Sequence, residues 1–199
     1  MEFDCVKQIL SGDVSKFSFL IERYKDLAYN IAFRILNNNE DAEEAVQDAF
    51  LRAFKALSLF KGNAKFSTWF YKIVVNVSLS RLKSKNQNAK GKFQLATGSW
   101  QTIIDADLPS TVFEEVESAY KNLHREDQRK YINLALDKLD MEDRLLLTLY
   151  YLNENTIAEV AEITSIQPEN IKMKIHRARQ KMFVLLKHLI KEEILDHGR

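Results

Sequence analysis

The sequence predicts an all-α fold: two small helical domains joined by a flexible linker, the second containing a helix-turn-helix. Three observations lead there. Only five Gly and two Pro occur among 199 residues, too few for a β-sandwich or for glycine loops that cradle phosphate. Apolar residues recur at helical spacing on both sides of one long polar stretch. Hydrophobic residues make up 46% of the chain, enough to bury a core at a length suited to one or two domains. The expected boundaries are a domain over 1–86, a linker over 87–128 and a domain over 129–199.

Between Asp13 and Leu36, the positions Phe17, Leu20, Ile21, Tyr24, Leu27, Ala28, Ile31, Ala32 and Ile35 follow the helical period and predict an amphipathic helix. Asn37-Asn38-Asn39 breaks it. Glu40 and Asp41 then open a second helix, where the dipole favours acids in the first turn. Ala42, Ala45, Val46, Ala49, Phe50, Ala53, Phe54 and Leu57 give that helix a buried stripe. Phe60 to Phe66, with Gly62 and Asn63, reads as a short loop, and Ser67 or Thr68 can cap a third helix running to about Lys85. Its inner stripe is Phe70, Ile73, Val74 and Val77.

The linker is polar and basic at its start, Asn86 to Lys92, and acidic from Asp105 to Glu117, where Thr111 and Glu114 allow a short capped helix. Tyr131, Leu134, Ala135, Leu136 and Leu139 open the second domain, and Leu145 to Leu152 continues it. Thr156 and Glu159 form a capping box before a short helix through Ile163. After the connection Thr164 to Gln167, Pro168 occupies a first-turn position, where its missing N–H costs nothing. The last helix then buries Ile171, Ile175, Ala178 and Met182. Two helices joined by so tight a turn, the second strongly basic, match helix-turn-helix geometry.

Cys5 is the only cysteine, so neither a disulfide framework nor a cysteine metal site is expected, and His124, His176, His188 and His197 lack ligand spacing. No phosphate loop or nucleophile motif supports an enzyme. The start lacks a basic n-region and no apolar run approaches ~18 residues, so a cytoplasmic protein without cofactor, small-molecule substrate or membrane insertion is expected.

The formal net charge of +1 conceals a segregated distribution. No acid occurs between Asp48 and Asp105, a gap that holds ten cations from Arg52 to Lys92. A second gap, Glu169 to Glu192, holds seven more from Lys172 to Lys191. Two blocks of this kind point to two anion-binding surfaces. On the last helix the period sets Lys172, Met173, His176, Arg177 and Gln180 opposite the apolar stripe, with Lys174, Arg179 and Lys181 on the flanks. That is the arrangement by which a recognition helix meets base edges and flanking cations meet phosphates.

In the first domain Trp69, Lys72, Asn76 and Lys83 share a helix face, fed by a loop bearing Lys61, Asn63 and Lys65. A stacking surface, an amide and several cations suit single-stranded or melted nucleic acid better than an intact duplex. Trp69 reads equally as a core residue. The second helix presents Glu44, Gln47, Asp48 and Leu51 outward, with Arg52 and Lys55 towards its end. Periodicity alone leaves open whether that face is simply solvated or meets a protein partner.

The run Asn39-Glu40-Asp41-Ala42-Glu43-Glu44-Ala45-Val46-Gln47-Asp48-Ala49-Phe50-Leu51-Arg52-Ala53-Phe54 resembles the D-A-E-D-x-x-Q-[DE]-x-F-L-[KR]-x-[WF] signature of extracytoplasmic-function (ECF) sigma factors, two-domain sigma subunits of bacterial RNA polymerase. Phe66 to Asn76 resembles their F-x-x-W-L-x-x-I-x-x-N, and Ile157-Ala158-Glu159-Val160-Ala161 with Ile171 to Arg179 resembles their helix-turn-helix pair. The resemblance implies a non-catalytic factor that directs core polymerase to promoters and melts the −10 element. It implies that Glu44, Gln47, Asp48, Leu51 and Lys55 dock on the β′ clamp coiled coil. Lys61, Asn63, Lys65, Trp69, Lys72, Asn76 and Lys83 would hold the −10 element. Lys172, Met173, His176, Arg177, Arg179 and Lys181 would meet the −35 element, next to a surface for the β flap, and an anti-sigma factor is an implied partner. The stand-alone alternative is a helix-turn-helix regulator that binds duplex DNA unaided. Asp140 replaces a frequent Pro, Glu169 a frequent Gly, and Gln167 and Asn170 the usual Ser and Thr, so promoter sequence does not transfer from relatives.

Overall fold

Two asparagines shape the start of the fold. Asn37 takes the left-handed conformation (φ 50°) that ends one helix, and its N–H donates to the Phe33 carbonyl. Asn38 is extended, and its side-chain oxygen accepts the Asp41 N–H at 2.9 Å to start the next helix. The computed structural model describes residues 2–88, 120–121 and 124–196. Among these residues there are eight α-helices and no strand. They are α1 (Glu2–Leu10), α2 (Phe17–Leu36), α3 (Asn39–Lys55), α4 (Phe66–Asn88), α5 (Arg125–Lys138), α6 (Met141–Leu147), α7 (Ile157–Thr164) and α8 (Pro168–Asp196). Single turns precede α2 and follow α3, and a π-helical turn over Thr148–Leu152 follows α6. The possible helix from Thr111 and most of the linker lie outside the described residues. The linker expected to reach residue 128 gives way earlier: α5 starts at Arg125, with Glu126 and Asp127 in its first turn, where the dipole favours them.

Packing divides the described residues into two units. The first joins residues up to 88 with Thr148–Ile171; the second contains the described residues of Gln94–Leu147 and Lys172–Arg199. In the first, α2, α3 and α4 pack mutually around Leu20, Ala28, Ile31, Ala45, Ala49, Phe70 and Val74, all essentially buried. The small buried alanines of α3 leave space between the helices for the rings of Phe50 and Phe70, 4.5 Å apart and stacked. Helix α4 buries more of its circumference than the single predicted stripe. Tyr71, Val75 and Ser78 are buried too: the Tyr71 ring lies edge-on to Tyr24 of α2 at 6.1 Å, and α7, which buries Val160, Ala161 and Ile163, also packs on α4.

Helix α1 precedes the first periodicity read from the sequence. It buries Cys5, Val6 and Ile9, and its Glu2 carboxylate accepts the Tyr24 hydroxyl and pairs with Arg23 Nε at 3.1 Å. Helix α4 also starts before Ser67 and Thr68: the Lys65 carbonyl accepts the Trp69 N–H, and the Thr68 hydroxyl is buried without a hydrogen bond, so it is no cap. Phe54, expected in the inner stripe, is 40% exposed, its ring edge-on to Phe17 at 5.0 Å.

In the second unit Tyr131, Ala135 and Leu186 form a core with Met182, Phe183, Leu185 and Leu189 around it. Leu134 lies outside that core, 40% exposed, whereas Gln180, assigned outward by rotation, is 3% exposed. A helical wheel gives the phase of a helix but not the number of neighbours around it, and both differences come from that.

The capping box at α7 is complete. Glu159 accepts the Thr156 N–H at 2.7 Å, and the Glu159 N–H donates to the Thr156 hydroxyl at 3.3 Å. Lys65 Nζ also pairs with Glu159 Oε1 at 2.8 Å. Burial works to raise the Glu159 pKa, but Lys65 and Thr156 together hold it below the ordinary glutamate value.

Two outcomes are expected. Asn38→Ala should destabilise the protein by ~1 kcal/mol and Asn38→Asp by much less, read as shifts of the urea midpoint. Because the folded pKa of Glu159 is depressed, its contribution is present above the unfolded glutamate pKa and lost as pH falls through the folded one. Amide exchange in α7 should therefore accelerate on acidification through that window, and in Glu159→Gln this pH dependence should be absent.

Candidate nucleic-acid and protein-docking faces

The outward face of α3 follows from its inner one. With Ala42, Ala45, Ala49 and Ala53 buried, the period turns Glu44, Gln47, Leu51 and Lys55 to solvent, and Leu51 is 60% exposed, with the partly exposed Phe54 three residues on. The acids are already paired within the unit. Arg81 of α4 donates from Nη1 to Glu44 and from Nη2 to Asp48 Oδ2 at 3.0 Å, while Lys85 pairs with Asp41. Positions ascending along α3 meet positions descending along α4, as antiparallel helices require. Arg81 was not among the residues singled out from the sequence. The signal lay in acids spaced three and four apart on one helix, matched by cations four apart on the other.

On α4, Trp69 is half-buried, its ring 5.4 Å from that of Phe60 and 5.6 Å from that of Phe66. One side of the indole is thus supported by aromatic carbon. Lys72 is half-buried and Asn76 exposed on the same face, and Lys83 is exposed further along the helix. The loop leaves Lys61, Asn63 and Lys65 exposed, with Lys65 committed to Glu159. The structure thus brings Trp69, Lys72 and Asn76 together, with a cationic loop at the N-terminal end of the same helix.

On α8, Lys172, Met173, His176, Arg177 and Arg179 are exposed, Met173 to 56%. Lys181 does not join them. It is half-buried, its ammonium bound to Asp143 and, at 3.4 Å, to Asp140 Oδ2. Burial opposes the Lys181 charge, yet the two carboxylates hold its pKa above the ordinary lysine value. Lys174 is likewise paired, with Glu142 at 2.7 Å. Among the described residues no group of three or more His, Cys, Asp or Glu could hold a metal ion, and no helix is long and apolar enough to cross a membrane.

The chain is matched by family models for Sigma-70 region 2 over residues 20–88 and for Sigma-70, region 4 over residues 129–182. It is similar to the ECF RNA polymerase sigma factor SigW of Bacillus subtilis, 30% identical over 184 residues that span 92% of this chain and 96% of that protein. It is also similar to the RNA polymerase sigma-H factor of Pseudomonas aeruginosa, 23% identical over 94% of each chain. The ECF RNA polymerase sigma-E factor of Escherichia coli is 25% identical over 88% of each. Two solved structures share the fold at 20% identity and a TM-score of 0.60. One is CnrH in complex with the cytosolic domain of CnrY, covering 92% of this chain and 96% of that one; the other is the sigma factor RpoE with the anti-sigma factor NepR from Bartonella quintana, covering 86% and 96%. The two family segments fall on the helices that carry these exposed faces, and the chain belongs to the extracytoplasmic-function sigma factors of the sigma-70 family.

Proposed function

We propose that this protein acts in the cytoplasm as a dissociable subunit of RNA polymerase that selects promoters and opens them. The observation that carries the proposal is the separation of faces on adjacent helices. Two apolar side chains three residues apart, Leu51 and Phe54, stand exposed on α3 beside Gln47 and Lys55, while α4 presents a supported indole, an amide and cations. A protein surface takes the first and an unstacked base takes the second.

In this reading Gln47, Leu51 and Lys55 meet the clamp coiled coil, with Glu44 and Asp48 at the rim, shared with Arg81. Lys61 and Asn63 approach the −10 element with Trp69, Lys72 and Asn76, and Lys83 follows the backbone. Lys65 reaches phosphate by exchanging Glu159 for it. Lys172, Met173, His176 and Arg177 enter the −35 major groove, and Arg179 neutralises phosphate beside them. Lys181 holds the recognition helix through Asp143 in the free protein and joins the phosphate contacts only on release. Residues 1–86 and 129–199 serve as the polymerase and −10 module and the −35 module. No residue acts as a catalytic group. An anti-sigma factor that covers these faces is the regulatory partner suggested by the complex of RpoE with the anti-sigma factor NepR.

The protein mixed with core polymerase should give specific transcripts from a promoter library, whereas alone it should shift duplex DNA weakly. Strong, sequence-specific shifts without polymerase would instead favour a stand-alone regulator. Leu51→Glu should weaken binding to core polymerase by about tenfold or more, the loss expected for a buried aliphatic anchor, without moving the thermal midpoint. Arg177→Ala should cost ~1–3 kcal/mol in −35-dependent promoter binding if its guanidinium reads a base bidentately, and a −35 binding curve matching that of the parent would remove it from the readout.

A further inference from the structure

The loop that leads into α4 is packed from behind by the N-terminal helix. Gly62 sits at φ 73°, in the left-handed region. A Cβ placed there would lie 2.5 Å from Phe3 Cε2 and 2.8 Å from Phe3 Cδ2, so the Phe3 ring occupies the space that any side chain at 62 would need. The same ring meets Phe60 edge-on, with centroids 6.3 Å apart, and Phe60 in turn contacts Phe66 at 5.6 Å and Trp69 at 5.4 Å. A continuous aromatic path therefore runs from Phe3 through Phe60 to the indole of Trp69.

Helix α1 is held in place independently of that path. Glu2 is fixed by Tyr24 and Arg23 of α2, and Val6 and Ile9 are buried. Lys7 Nζ lies 4.5 Å from the Phe3 ring centroid, a cation–π contact on the same ring. Yet Phe3 itself is 41% exposed. A ring that left so much of its surface in water would be a poor choice for filling a core, but its contacts run to the loop. Loops carrying binding residues are otherwise free to sample many conformations, and a ligand that must order one loses affinity by that ordering.

We infer that Phe3 is a positioning residue for the loop Phe60–Phe66: seated on Gly62 and Phe60, it holds the loop and Trp69 in the arrangement that receives the unpaired −10 strand. The inference rests on the proposal above that this loop and Trp69 face the −10 element. Phe3 touches no DNA in this scheme. Its effect is to remove an ordering step from promoter opening, and the rate of opening should report it while closed-complex formation does not.

The test uses the full chain with core polymerase and a −10 element carrying a fluorescent base analogue, so that initial binding and the opening step are measured separately. Phe3→Ala should slow opening about three- to tenfold, the range of one aromatic contact, with core affinity and closed-complex binding unchanged. Phe3→Tyr, which keeps the ring, should restore the parental rate. Asn63→Ala provides the control within the loop. If Phe3→Ala opens at the parental rate while Asn63→Ala is slowed, the positioning role is overturned and the loop's contact with the −10 element stands. If both open at the parental rate, the loop assignment fails and the inference falls with it. If Phe3→Ala weakens core binding as much as it slows opening, Phe3 is only a structural residue of the bundle and the inference is overturned.

Discussion

The aromatic cluster between α2, α3 and α4 is the contact on which the rest of the N-terminal unit depends. Phe50 of α3 stacks on Phe70 of α4, and Tyr24 of α2 closes on Phe66 at 5.4 Å and on Phe70 at 6.2 Å. Four rings from three helices meeting in one cluster leave each helix little freedom to rotate, because interiors pack at near-crystalline density and rings tolerate few alternative geometries. Once Phe50 is inward, Leu51 and Gln47 are outward. Once Phe70 is inward, Lys72 and Asn76 lie on the free side of α4. Both proposed functional faces are consequences of how the apolar side chains pack.

Electrostatics adds a second layer. The acid-free stretches do not leave all their cations bare in the folded chain. Arg81 and Lys85 are paired with acids of α3, Lys65 with Glu159, and Lys174 and Lys181 with acids of α6 and its N-terminal approach. Exposed ion pairs are weak and screened by salt, so the solvent-facing members of this set exchange readily for phosphate. Lys181 is different, because its Asp143 partner is buried enough that desolvation pushes the carboxyl pKa up. The net charge of +1 thus describes a chain in which part of each basic block is matched by acids, while Lys61, Lys83, Lys172, Arg177 and Arg179 are exposed on the two faces and Lys72 is half-buried beside them.

The helices were legible from periodicity where one face is buried and the other wet. Helix α3, with its four inward alanines and Val46 and Phe50 between them, is the clearest case. The asparagine break and the Thr156–Glu159 box were equally readable, because capping is local chemistry acting over three residues. Legibility failed where a helix has several neighbours or where a partner comes from far along the chain. The rotation that put Gln180 outward ignored the packing around α8. The capping rule that favoured Ser67 or Thr68 missed the burial of Thr68 beneath neighbouring helices. Phe3 and the Glu159–Lys65 pair act across separations that no local pattern registers, and Arg81 is signalled only by comparing the spacing of charges on two separate helices.

By itself the sequence determined the all-helical class, the order of the main helices from α2 onward, the exposed stripe on α3 and most of those on α4 and α8, and the motifs that mark the family. These follow from backbone periodicity and from side chains interacting within one or two turns. Only the tertiary structure decided which acids and cations neutralise one another and that the segment Thr148–Ile171 packs with the N-terminal bundle. It also decided that Trp69 is half-buried on an aromatic support rather than in the core, and that an N-terminal phenylalanine sits on a left-handed glycine in the loop. Those outcomes depend on distances between residues remote in the chain, and such distances are set by the joint packing of all the helices.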